Sequence, residues 1–117
     1  MTELLVLIIP IPPSVNQIYA NVPGKGRVKT KQYRQWLDLA GWQVLEQRRG
    51  RRVEGKVNIQ IEVRRLSANS DADNRIKATL DLLVKQGVID DDKNVQKVSA
   101  EWADVDTCRV TIKKVDP

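Results

Sequence analysis

The hydrophobic period switches between two values along this chain, and that switching constrains its fold more than any other feature. Val57, Ile59, Ile61 and Val63 alternate with Asn58, Gln60, Glu62 and Arg64. A side-chain period of two with one apolar face is a half-buried β-strand. Val98, Ala100 and Trp102 repeat the pattern, as do Cys108, Val110 and Ile112. Leu4–Ile9, an unbroken apolar run stopped by Pro10, reads as a buried strand. Between these lie two stretches of helical period. Tyr33, Trp36, Leu37, Ala40, Val44 and Leu45 form one stripe, which predicts a helix from residue 30 to about 49. Thr30 can cap its start, and Gly50 ends it among cations that suit a helix C-terminus. Ile76, Leu80, Leu83 and Val84 form the second stripe, on a helix from about 72 to 86 that stops at Gly87.

The resulting order is β-α-β-α-β-β, without repeats or low-complexity segments. It predicts an α/β (α+β) fold: one mixed sheet of about four strands with two main helices packed on it. At 117 residues the chain is a single domain, 1–117. Pro12-Pro13-Ser14 forces an extended turn, with Asn16 and Tyr19 on the loop beyond it. Residues 20–30, rich in Pro, Gly and cations, are expected to form a mobile basic loop. Residues 67–70 read as a polar turn.

Composition removes several chemistries. Histidine is absent, which excludes histidine triads, general bases and metal ligands. Cys108 is the lone cysteine, so no intrachain disulfide or cysteine zinc site forms. Any metal must be held by oxygen, which favours Mg²⁺ or Mn²⁺ over Zn²⁺. No apolar run approaches the ~20 residues of a membrane span. The start, MTELLVLIIPIPP, lacks the marks of a signal peptide. A cytoplasmic protein with no membrane partner and no nucleotide cofactor is expected.

The net charge is +5, yet charge is segregated. Residues 23–56 carry ten Lys/Arg against three acids, a footprint suited to phosphates. Residues 71–106 carry nine acids against five cations. Asp71 and Asp73 stand two apart, Lys77 follows, and Asp90, Asp91 and Asp92 close the segment. Carboxylates gathered in a basic chain suggest a divalent metal that cuts a phosphodiester: Asp71, Asp73 and Asp92 suffice as ligands, and Lys77 stands one helical turn beyond Asp73 to stabilise the transition state. Taken singly, a D-x-D is more often a helix cap, and Asp73–Lys77 an ordinary ion pair. The reach of Asp92 is tight. About fourteen helical residues span about 21 Å, and about five extended residues return at most about 17 Å. Either Asp92 folds back along the helix or a partner chain helps build the site.

At these residues the sequence resembles the RusA family of Holliday junction resolvases. The resemblance covers nearly the whole chain. It runs through P-P-S-x-N-x-x-Y (Pro12, Pro13, Ser14, Asn16, Tyr19), D-x-D-N-x-x-K (Asp71, Asp73, Asn74, Lys77) and the acidic pair Asp91-Asp92 before Asn94-Val95. It implies a homodimeric, Mg²⁺-dependent endonuclease that nicks opposing strands of four-way junction DNA, in a bacterial or phage-infected cell. It also implies that Asp71, Asp73 and Asp92 match the family's essential acids and Lys77 its essential lysine, with Asp91 as the alternative ligand. Members often crowd arginines before the first aspartate; here LSANS intervenes after Arg64-Arg65.

Lys25, Arg27, Lys29, Lys31 and the arginines of 48–52 are the expected phosphate contacts, with Asn74 and Arg75 beside the D-x-D. Asn16 and Tyr19 have two open roles, contacting DNA or fixing the proline turn. Tyr33 and Trp36 fall on the core stripe and Trp42 off it, so Trp42 is the aromatic expected to be exposed or to make a dimer contact. Two rival functions remain: a junction- or duplex-binding protein without cleavage, and a metal-dependent nuclease of flaps or RNA.

Overall fold

The computed structural model describes residues 4–66 and 71–115. Strands β1 (Leu4–Ile9), β4 (Val57–Arg64), β5 (Val95–Ala103) and β6 (Cys108–Lys114) form a four-stranded sheet in the order β1-β6-β4-β5. β4 pairs with β5 in parallel and with β6 antiparallel, and β1 is antiparallel to β6. The sheet is therefore mixed, as the order of elements predicts. Helix α1 (Lys31–Arg48) precedes β4, and helix α2 (Ile76–Lys85) crosses from β4 to β5. The polar turn expected at 67–70 lies outside the described residues.

Alternation fixes which face is buried. Val57, Ile59, Ile61 and Val63 point inward with Cys108, Val110 and Ile112, and all are buried. Tyr33, Trp36, Leu37, Ala40 and Val44 of α1 and Ala78, Leu82 and Leu83 of α2 join them in one core. Leu45 and Val84, expected on the two core stripes, lie at their margins and are exposed. Burial pushes the Cys108 thiol up to about 12, with the Glu62 charge adding to it. Among the described residues, no helix is long and apolar enough to cross a membrane.

β1 departs from expectation. It reads as fully buried, yet only Leu5, Leu7 and Ile9 point into the core, while Leu4, Val6 and Ile8 are exposed. The reason is that only one face of the sheet carries the core, so alternate residues of β1, like those of β4, point away from it. The C-terminal end of α1 and the residues after it guard that edge. The Gln47 amide donates to the Ile8 carbonyl at 2.6 Å and accepts from the Ile8 N–H at 2.7 Å. Arg51 donates to the Leu4 carbonyl at 2.7 Å. The outward backbone groups of Ile8 and the Leu4 carbonyl, which would invite another strand, are thus satisfied internally.

The segment expected to be a mobile basic loop is instead a hairpin. β2 (Tyr19–Val22) pairs antiparallel with β3 (Gly26–Lys29). Gly24 and Gly26 hold φ of 78° and 75°, conformations that close a tight turn and that glycine adopts without steric cost. Thr30 then caps α1 by accepting from the Tyr33 N–H at 3.1 Å, as expected. Its hydroxyl also donates to the Gln17 carbonyl at 2.7 Å, tying the helix start to the base of the hairpin. At the other end, α1 stops one residue earlier than expected, with Arg49 itself in the left-handed region.

Candidate active site

A cleft of about 430 Å³ opens where α1, α2, the hairpin and the acidic segment meet. α2 supplies Lys77, Asp81, Val84 and Lys85, and the acidic segment supplies Asp91 and Asp92. Those four α2 positions fall on one face, since residues four and seven or eight apart align along a helix. Tyr19 and Lys29 of the hairpin and Tyr33 of α1 complete the polar wall.

The α2 groups are fixed by a small network. Lys77 Nζ donates to Asp81 Oδ1 at 3.0 Å, and the Tyr33 hydroxyl donates to Asp81 Oδ2 at 2.8 Å. The bond to Asp81 raises the Lys77 ammonium above its ordinary 10.5, and the charge of Asp92 adds to the rise. Burial first, then the same carboxylate, pushes the Tyr33 hydroxyl up, so it stays a donor. Tyr33 packs edge-on to Tyr19 at 6.2 Å between ring centroids and stacks on Trp36 at 6.3 Å.

Asp91 and Asp92 differ in what they do. Asp91 caps a 3₁₀ turn, Asp92–Asn94, by accepting from the Lys93 N–H at 3.0 Å. That amide, and then contact with Asp92, hold its carboxyl below the usual carboxylate range. Asp92 is exposed and close enough to Lys77 to act on its charge. Asp92 thus stands by Lys77 of α2 and not by Asp71 and Asp73. The β4–β5 register shifts just beyond it, between Val57 and Asn58, so Gln96 is skipped.

Asp71 and Asp73 stand elsewhere. The expected first turn of the second helix is a 3₁₀ turn, Ala72–Arg75, with Asp71 at its N-cap, and α-helical geometry begins only at Ile76. A 3₁₀ turn has three residues per revolution, so the i, i+4 alignment of Asp73 with Lys77 is lost. Lys77 pairs with Asp81 instead. Both aspartates are exposed, and neither lines the cleft. Among the described residues, no group of three or more acidic side chains is gathered to hold a metal ion.

The expected nucleic-acid contacts also separate. Lys29 lines the cleft, while Lys25, Arg27 and Lys31 are exposed nearby in sequence. Arg27 lies over the Tyr19 ring, 4.4 Å from its centroid. Asn16 is exposed in a 3₁₀ turn, Val15–Gln17, and Asn74 is half-buried. Arg75 is buried, and it donates to the Pro12 carbonyl at 2.7 Å. That bond braces the start of α2 against the proline turn. In the 48–52 run, Arg51 holds β1, and Arg52 pairs with Asp90 and with Glu54 at 3.8 Å. Trp42 is exposed and Tyr33 and Trp36 are buried, as their positions on the helix predict.

Sequence reasoning missed Asp81 and the polar end of Tyr33. Signals existed for both. Lys77 and Asp81 stand four apart on a helix, and a tyrosine on a core stripe needs a partner for its hydroxyl.

A family model described as endodeoxyribonuclease RusA matches residues 10–113. The chain belongs to the RusA family. It is accordingly an endodeoxyribonuclease, of a family that cuts crossover junctions. The match takes in the proline turn, the hairpin, both helices and the whole cleft of this RusA chain. No curated protein matches the sequence.

Proposed function

We propose that the chain is a homodimeric, Mg²⁺-dependent endonuclease that resolves four-way DNA junctions by paired nicks, with Asp71, Asp73, Lys77 and Asp92 as its catalytic set. The observation that carries this reading is a fixed ammonium, Lys77, facing the Asp91–Asp92 turn in a cleft of a RusA chain. The described residues of one chain do not make a complete metal site. The reading therefore assigns the missing carboxylates to a second copy, so that Asp71 and Asp73 of one protomer meet Asp92 of the other, with Asp91 as the alternative. Oxygen donors without histidine suit a hard cation, Mg²⁺ with Mn²⁺ as substitute. Such an ion supplies charge neutralisation and an activated water when bound.

The chain's own residues do the rest. Lys77 keeps its proton through neutral pH, so it offers fixed positive charge to the transferring phosphoryl group rather than a proton. Lys29 and Lys85 add charge at the cleft wall. Lys25, Arg27 and Lys31 carry the phosphates of the arms, and Asn16, Tyr19 and Asn74 contact the strand near the cut. A junction has near two-fold symmetry, and paired nicks require two sites related by it. The place of work is the cytoplasm of a bacterial or phage-infected cell.

The test uses synthetic four-way junctions, flaps, RNA and linear duplex, with Mg²⁺ or EDTA, for wild type and Asp73→Asn. The expected result is paired nicking of junctions alone, lost in EDTA and in the variant while junction binding persists. Binding without cleavage by wild type would replace this reading with a non-catalytic one. Preferential cutting of flaps or RNA would replace the substrate.

A further inference from the structure

We propose that Asp81 is the positioning residue for Lys77, held in turn by the Tyr33 hydroxyl, so that a rigid chain of contacts from the N-terminal strand aims the ammonium across the cleft. The inference rests on the reading of Lys77 above and adds two residues to it.

The contacts run without a gap. Trp36 Nε1 donates to the Pro10 carbonyl at 3.1 Å, just beyond the end of β1. Trp36 stacks on Tyr33, with planes 17° apart. The Tyr33 hydroxyl donates to Asp81 Oδ2 at 2.8 Å, and Asp81 Oδ1 accepts from Lys77 Nζ at 3.0 Å. Each carboxylate oxygen thus has one donor, and the two donors come from different helices. Tyr33 is 0% exposed, so its ring has no freedom to follow Asp81 if that side chain turns. Exposure grows toward the lysine end, where the Lys77 side chain is 49% exposed and Asp81 27%.

An ordinary surface ion pair explains less. A lysine placed N-terminal to an acid at i, i+4 is the weaker order of the two on a helix. Asp81 as a mere helix stabiliser would also have no use for Tyr33. A buried tyrosine hydroxyl must find a partner, but a backbone carbonyl would serve and would leave the carboxylate free to rotate. A charge-assisted bond from a buried ring fixes the carboxylate plane instead. A lysine stem has four rotatable carbons, and its unconstrained head would sample solvent. Held at Asp81, the head stays one helical turn from where its own stem leaves the backbone, on the side where Asp92 acts on its charge. Both Asp81 oxygens are engaged by donors of this chain, one from each helix.

The experiment compares wild type, Asp81→Asn, Tyr33→Phe, the double variant and Lys77→Gln as dimers with Mg²⁺. It reads single-turnover nicking, junction affinity in EDTA, and thermal midpoint. Asn at 81 keeps the shape but loses the charge and one acceptor. Nicking should fall roughly 10- to 100-fold, as expected for a misplaced group, with junction affinity unchanged. Tyr33→Phe should give a smaller fall of the same kind. The double variant should be no slower than Asp81→Asn, because both act through one path. A merely structural role predicts a lower midpoint with the nicking rate of the folded fraction intact, and that outcome overturns the proposal. So does a double variant whose losses multiply. If Asp81→Asn does not fold, Tyr33→Phe alone decides: wild-type nicking refutes positioning. Lys77→Gln separates the two layers. If it nicks normally, the reading of Lys77 fails; if it is inactive while Asp81→Asn and Tyr33→Phe are normal, only the present inference fails.

Discussion

Asp91 caps a turn with its side chain and Asp92 leads that turn with its side chain free of the cap, so adjacent aspartates should respond differently to the same substitution. Asparagine caps a helix start about as well as aspartate. Asp91→Asn therefore keeps the 3₁₀ turn and should keep most nicking activity. Asp92→Asn removes the charge that acts on Lys77 and should lower nicking about 100-fold or more, as for loss of a group aimed at the transition state. Junction binding in EDTA should survive both. Rates measured side by side check this, and the reverse order of effects would make Asp91 the ligand. At this scale sequence supplied the identities of Lys77, Asp91 and Asp92 but not their partners. Asp73 was the natural partner for Lys77 on an α-helix, and only the 3₁₀ geometry of Ala72–Arg75 passes the lysine to Asp81. Arg75 is harder to place from sequence for a similar reason. Its type suggests phosphate, whereas its burial against Pro12 depends on where a distant turn lands.

At the level of elements, period carried most of the information. The core faces of β4, β6 and α1 follow directly from residues such as Ile59, Val110 and Ala40. The hairpin was hidden because its apolar content is two valines, an alanine and Tyr19 among glycines and cations, too little for alternation to show. Its order comes instead from pairing and from Tyr19 packing on Tyr33. This changes how its charges act. A mobile loop would reach phosphates at an entropic penalty, while a hairpin presents Lys25, Arg27 and Lys29 on a paired backbone, with Lys29 at the cleft wall. Replacing all three with glutamine should reduce the slope of log affinity against log salt by roughly 2 to 3, since each phosphate contact contributes roughly 0.9. Titrations of junction binding at several salt concentrations in EDTA measure it. An unchanged slope would mean that the hairpin does not touch the backbone.

For the whole molecule, the decisive feature is that the acids of one chain divide between two places. Asp92 stands with Lys77 in the cleft, and Asp71 and Asp73 stand in the turn before α2, outside it. A dimer that shares carboxylates across its two-fold axis turns this into a sharp prediction. Mix a chain carrying Asp92→Asn with one carrying Asp71→Asn and Asp73→Asn, each inactive alone. In the mixed dimer one site receives intact Asp71 and Asp73 from the first chain and intact Asp92 from the second. The other site receives only substituted residues. Nicking should return, and it should be single rather than paired, because one functional site serves a junction with two symmetric cutting positions. If each chain builds its own site, both sites of the mixed dimer lack ligands and no activity returns. The same sharing makes wild-type activity fall with dilution more steeply than enzyme concentration, once dimers dissociate. Gels that resolve single from double nicks, run across mixing ratios, separate the two arrangements.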